Sequence, residues 1–147
     1  MLKPALLALL LLLPLPAMAA SVAEVDQRIA DVLGDPGAFH EAFDAIQQAL
    51  AEDDAEALAK WVEYPLNVQV SGAPSTIASE EDFVAAYPQL LPDAIKAVVE
   101  EQDYADLFVN DQGAMFGNGQ MWLGGICKDS ACKSVDVRII TIQDTDQ

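Results

Sequence analysis

LFVNDQGAMFGNGQMWLGGICKDSACKSVDVRIITI, Leu107–Ile142, carries strand periodicity, turn chemistry and both cysteines of the chain, and the way it folds back decides the architecture. Apolar and polar residues alternate along much of it, as they do in half-buried strands. It reads as a three-strand antiparallel meander. The first turn is Asn110-Asp111-Gln112-Gly113, where Asn and Asp bond their own backbone and Gly accepts positive φ. That turn sets Val109 opposite Ala114 and Leu107 opposite Phe116. Gly117-Asn118-Gly119 has the composition of a bulge or sharp bend. For the second turn, facing Cys127 with Cys132 across Lys128-Asp129-Ser130-Ala131 puts Gly124 opposite Val135, Trp122 opposite Val137 and Gln120 opposite Ile139. Ile126, Trp122, Val135, Val137 and Ile139 then share one face. Both cysteines, Met121, Leu123, Asp136 and Arg138 share the other.

Upstream the periodicity changes to that of helices. Ser21 to Leu33 repeats Val22, Val25, Ile29 and Val32/Leu33 at helical steps until Gly34-Asp35-Pro36-Gly37 stops it. Ala38 to Ala51 aligns Phe39, Phe43, Ile46 and Leu50 on one stripe, and Asp53/Asp54 can cap a short helix over Ala55 to Val62. Tyr64-Pro65 should end that helix, leaving Leu66 to Val70 as a strand and Thr76 to Ala78 as its short partner. Ser79-Glu80-Glu81-Asp82 opens a helix through Phe83, Val84 and Tyr87, and Pro92 starts another over Asp93 to Glu101. The order predicts an α+β fold with helices gathered on one face of a mostly antiparallel, strongly curved sheet.

Met1 to Ala20 has one positive charge at Lys3, an apolar run from Ala5 to Leu13 and the small-residue pattern Ala17-Met18-Ala19. It reads as an export signal cleaved after Ala19 or Ala20, its apolar run about half of the ~20 residues a spanning helix needs. The remainder, residues 21–147, is one domain expected in the periplasm or secreted, and not embedded in a membrane. All 24 acidic residues lie there, and losing Lys3 from the 7 basic ones takes the formal charge from −17 to −18. Such a field repels nucleic acid and favours solubility or a basic partner. In an exported chain Cys127 and Cys132 favour a disulfide, worth about 2 kcal/mol for so short a loop. With His40 the single histidine, neither a metal site nor a cofactor is expected.

The run Trp61-Val62-Glu63-Tyr64-Pro65-Leu66-Asn67-Val68, the helix start at Ser79/Glu80/Asp82-Phe83, and Phe108-Val109-Asn110 with Gln112 to Met115 and Gly117 to Trp122 together resemble the nuclear-transport-factor-2-like (SnoaL-like) cone family. The resemblance spans most of the mature domain. It implies helices closing over a bent sheet around an open-ended pocket, and self-pairing through the open sheet face. The family includes enzymes that move protons with pocket carboxylates, histidines or tyrosines. It also includes binding, assembly and immunity proteins, so the fold alone does not select a function.

Residues able to carry chemistry are few. His40 belongs to the side-chain type that titrates nearest neutrality, and Asp44 at i+4 could orient it as a base. Asp136 and Arg138 share a strand face and could anchor a cation or proton and an anion. Tyr64, Tyr87, Trp122 and Trp61 could line an aromatic pocket, or simply fill the core. No nucleophilic triad, phosphate loop or multi-histidine spacing is present. The sequence therefore points to a non-catalytic protein that binds a small molecule or a basic protein, an immunity or inhibitor domain being one form. The alternative is a cofactor-free isomerase, dehydratase or hydrolase using His40, Asp44 or Asp136.

Overall fold

The Ser21 hydroxyl accepts from the Glu24 amide while the Glu24 carboxylate accepts from the Ser21 N–H, and this reciprocal cap opens α1, Val22–Val32. The computed structural model describes residues 20–145. The export signal expected over residues 1–20 lies outside them except for Ala20. In α1 the buried stripe is Val25 and Ile29, whereas Val22 and Val32 are 43% and 49% exposed. Asp35 caps α2, Pro36–Ala51, by accepting from the Gly37 amide, with Pro36 in the first turn. The segment expected only to stop α1 therefore also starts α2, because proline is pre-set for a first helical turn. Asp54 caps α3, Ala55–Ala59.

Strand β1, Val62–Val70, begins earlier than expected and runs through Tyr64-Pro65, whose peptide bond is cis. Val62 thus belongs to the sheet rather than to α3. The next elements are β2 (Ala73–Ile77), α4 (Glu80–Leu90, containing Pro88) and α5 (Asp93–Glu101). After a single 3-10 turn, Tyr104–Asp106, come β3 (Phe108–Asn110), β4 (Gly113–Phe116), β5 (Met121–Cys127) and β6 (Val135–Gln143). The fold is α+β, with one open six-stranded sheet in the order β2-β1-β6-β5-β4-β3. Only β1 and β6 run parallel; every other neighbouring pair is antiparallel.

The first hairpin has the expected register, Val109 facing Ala114. Gly117 to Gly119 does not bend one strand. It turns the chain back, pairing Phe116 with Met121, so the stretch holds four strands where three were expected. Gly117 has φ +58, and a Cβ there would lie 2.4 Å from Val98 Cγ1, so the turn requires glycine.

The second hairpin overturns the expected register. Cys127 pairs with Val135, Gly125 with Val137 and Leu123 with Ile139. Its loop is Lys128–Ser134, wider than the expected four residues, and the Cys127–Cys132 disulfide lies across the loop's first part, Cα atoms 4.7 Å apart. From Leu123 to Cys127 the slip is three residues, an odd number, so it exchanges the faces; an irregularity after Ile139 makes it four at Trp122 and Met121. Met121 and Leu123 point into the core with Val137 and Ile139, and Trp122 lies on the opposite side from Val137.

The helices' Val25, Ile29, Phe39, Phe43, Ile46 and Phe83 join Leu123, Val137 and Ile139 in one core. At about 25 cal/mol per Å2 of apolar surface removed from water, that burial is the main force holding helices to sheet. A line of backbone partners on the helix side, Val109, Ala114, Leu123, Ile139 and Val62, is buried throughout. The other face carries a line that crosses every strand: Phe108, Met115, Trp122, Thr141, Asn67 and Thr76. None of these is buried and none is charged.

Candidate functional site

His40 projects from α2, yet its partner is not Asp44. Its Nε2 lies 2.9 Å from Oδ1 of Asp26 on α1, and the Tyr104 hydroxyl donates to the same oxygen at 3.0 Å. The imidazole stacks on the Tyr104 ring with centroids 3.7 Å apart, and Phe43 meets that ring edge-on. Among the described residues no hydrogen bond joins His40 to Asp44, whose carboxylate is exposed. The expected dyad is corrected because the stacked tyrosine turns the imidazole across to α1. Burial, then the bond to Asp26, pushes the Tyr104 hydroxyl well above the ordinary phenol range, so it serves as a donor. The trio clasps α1, α2 and the 3-10 turn together.

Asp136 and Arg138 do share a strand face, but Arg138 stands opposite Gly124, not Met121. They line an open cleft of about 440 Å3 with Lys128, Trp61 and, from the start of α2, Asp35 and Glu41. Lys128 Nζ lies 2.7 Å from Asp136 Oδ1, and Arg138 Nη2 lies 3.6 Å from Oδ2. The Lys128 hydrogen bond holds the Asp136 carboxyl below the usual carboxylate range, which makes it a weak proton acceptor. Both cations are already engaged by Asp136, and with Asp35 and Glu41 also lining it the polar cleft holds more carboxylates than cations.

The four aromatic candidates are dispersed. Tyr64 donates to the Ala59 carbonyl at 3.0 Å, tying β1 to the end of α3, and burial followed by nearby Glu80 pushes its hydroxyl up to about 12. Tyr87 is buried in α4 and donates to Asp53 at 3.1 Å. Lys96 of α5 pairs with the same carboxylate and stands 4.8 Å from the Tyr87 ring centroid. The Lys96 hydrogen bond lowers the Asp53 pKa and raises that of Lys96. Trp122 lies on the open sheet face, its ring bounded by Gly113 and Gly119. Trp61 lines the Asp136 cleft.

Three side-chain clusters thus stand in place of a single pocket: His40 with Asp26 and Tyr104, Asp136 with Lys128 and Arg138, and Tyr87 with Asp53 and Lys96. Asp26, Tyr104, Asp53, Lys96 and Lys128 had no sequence signal, since each acts through a partner brought by tertiary packing. Among the described residues no group of three or more His, Cys, Asp or Glu side chains is placed to hold a metal ion. None of the described helices is long and apolar enough to cross a membrane. Comparison with protein-family models, curated proteins and solved structures finds no match to this chain.

Proposed function

We infer that the chain is an exported binding protein, not a catalyst, and that its partner is a basic protein. The observation that carries this reading is the dispersal of the titratable candidates. A proton-transfer enzyme needs its acid, base and substrate space within hydrogen-bond reach of one another. Here His40 is occupied on the helical side by Asp26 and Tyr104, while Asp136 is clamped by Lys128 in a different cleft. The formal charge of −18 once the export signal is removed supplies the complementary attraction for a basic surface. An immunity or inhibitor role against a basic toxin is the form this takes.

The resemblance to the nuclear-transport-factor-2-like cone family belongs to the same reading. Supporting it are the helices-first order and the placement of β6 between β1 and β5. Under this reading the uncharged line from Phe108 to Thr76 receives a second copy, because two acidic chains meet there without burying carboxylates.

The test is affinity capture from periplasmic and secreted fractions at low and high salt. A basic protein retained at low ionic strength and released as screening rises supports the reading. Recovery of a small molecule alone, or turnover that His40→Ala abolishes, overturns it.

A further inference from the structure

The feature of the fold that this partner would use is the groove between α3 and α4. It is open to solvent and holds about 450 Å3. Its apolar lining is buried Ala59, half-buried Val84 and exposed Ala85, and the exposed Glu56, Glu80 and Glu81 line it beside them. The backing is rigid: Tyr64 bonds the Ala59 carbonyl, and Phe83 beside Val84 is fully buried. Among the described residues none of the three carboxylates forms an ion pair. Lys60 also lines the groove and, among the described residues, is the only cation that does so.

Apolar surface beside unpaired carboxylates matches one kind of occupant. A lysine or arginine side chain lays its aliphatic stem on apolar surface and carries its charge to the edge. We propose that the α3/α4 groove, lined by Ala59, Val84 and Ala85 and by Glu56, Glu80 and Glu81, is the docking site for lysine or arginine side chains on an amphipathic segment of a protein partner. The proposal rests on the reading that the partner is basic. It adds where that partner is held, and by which of the many carboxylates. Glu100 and Glu101 on α5 are also exposed, but neither lines this groove. Lys60 competes with the incoming cation and tunes the affinity down.

The experiment titrates the intact protein with a helical leucine–lysine peptide at low ionic strength and compares variants matched in charge. Glu80→Gln with Glu81→Gln should weaken binding about tenfold, and Glu100→Gln with Glu101→Gln less than about twofold, because contact charges outweigh distant screened ones. Ala85→Lys, at an exposed helical position that tolerates lysine, places a cation of the chain's own in the groove and should weaken binding by a similar factor. Lys60→Ala should strengthen binding where Lys133→Ala, an equal change of charge in the hairpin loop, does not. Equal losses for the α4 and α5 pairs, or no saturable binding of the peptide, overturn the groove. The wider reading is decided separately: a basic protein captured in salt-dependent fashion keeps it standing even if the groove falls. Absence of any such partner removes it even if the peptide binds as expected.

Discussion

Leu123 and Trp122 are neighbours in β5 and meet opposite conditions. Leu123 is 1% exposed and faces Ile139 beneath the helices, while Trp122 faces Thr141 in a line of uncharged, partly exposed residues. One face of the sheet is a core, filled from five helices; the other is a surface kept free of charge along a full line of strands in a strongly acidic chain. The contrast teaches that hydrophobic character alone does not assign a face. Tryptophan is the larger apolar group, yet it is leucine that goes inside, because register and helix cover decide the matter.

The largest test of this contrast is Phe116→Ala. Phe116 is fully buried and stacks on Phe43 with centroids 5.2 Å apart, so its loss should cost about 3–5 kcal/mol in denaturant unfolding. Next comes Cys127→Ser with Cys132→Ser, expected to cost no more than about 2 kcal/mol, since the closed loop is short. Because the disulfide only ties the end of β5 to the hairpin loop, Trp122 fluorescence should be unchanged in that variant. Trp122→Ser should cost about 1 kcal/mol or less, because the side chain already meets solvent. Should Trp122→Ser prove as damaging as Phe116→Ala, the two faces are not distinct. Smallest is Asp53→Asn. The Lys96 bond lowers the Asp53 pKa, so the charge stabilises the fold above the ordinary carboxyl range and the gain is lost as pH falls through the lowered value. The gap between wild type and variant in denaturation midpoint should therefore be widest near neutrality and close on acidification.

Much of this fold was legible. The first hairpin could be aligned because Asn110 accepts from the Gln112 and Gly113 amides within a local turn, so four adjacent residues fix the register. The second could not, because the cysteines suggest a symmetrical loop between them, whereas the strands rejoin only at Cys127 and Val135. A disulfide constrains its two residues; it does not require them to be ladder partners. Pro65 likewise read as a boundary, but β1 pairs with β2 only from Leu66 onward, so the ladder loses no donor to it. For the candidate site, Asp136 and Arg138 were visible as alternate residues of one strand. Asp26 was not, because it reaches His40 from another helix, and Asp53 meets Lys96 across 43 residues of sequence. Groups paired by packing leave no spacing to read.

Strand β6 lies inside the sheet, between β1 and β5, yet it follows both of them in the chain. During synthesis β1 and β2 can form only a ribbon, and the helices that precede the meander have no finished floor to rest on. Strand β6 is the keystone, and its pairing with β1, Val62 with Ile139, closes a loop of about half the chain, which delays folding. A ribosome-stalled chain lacking Val135–Gln143 should bind chaperones and be cut readily by protease, and adding that segment should convert it, in a single step, to a resistant form.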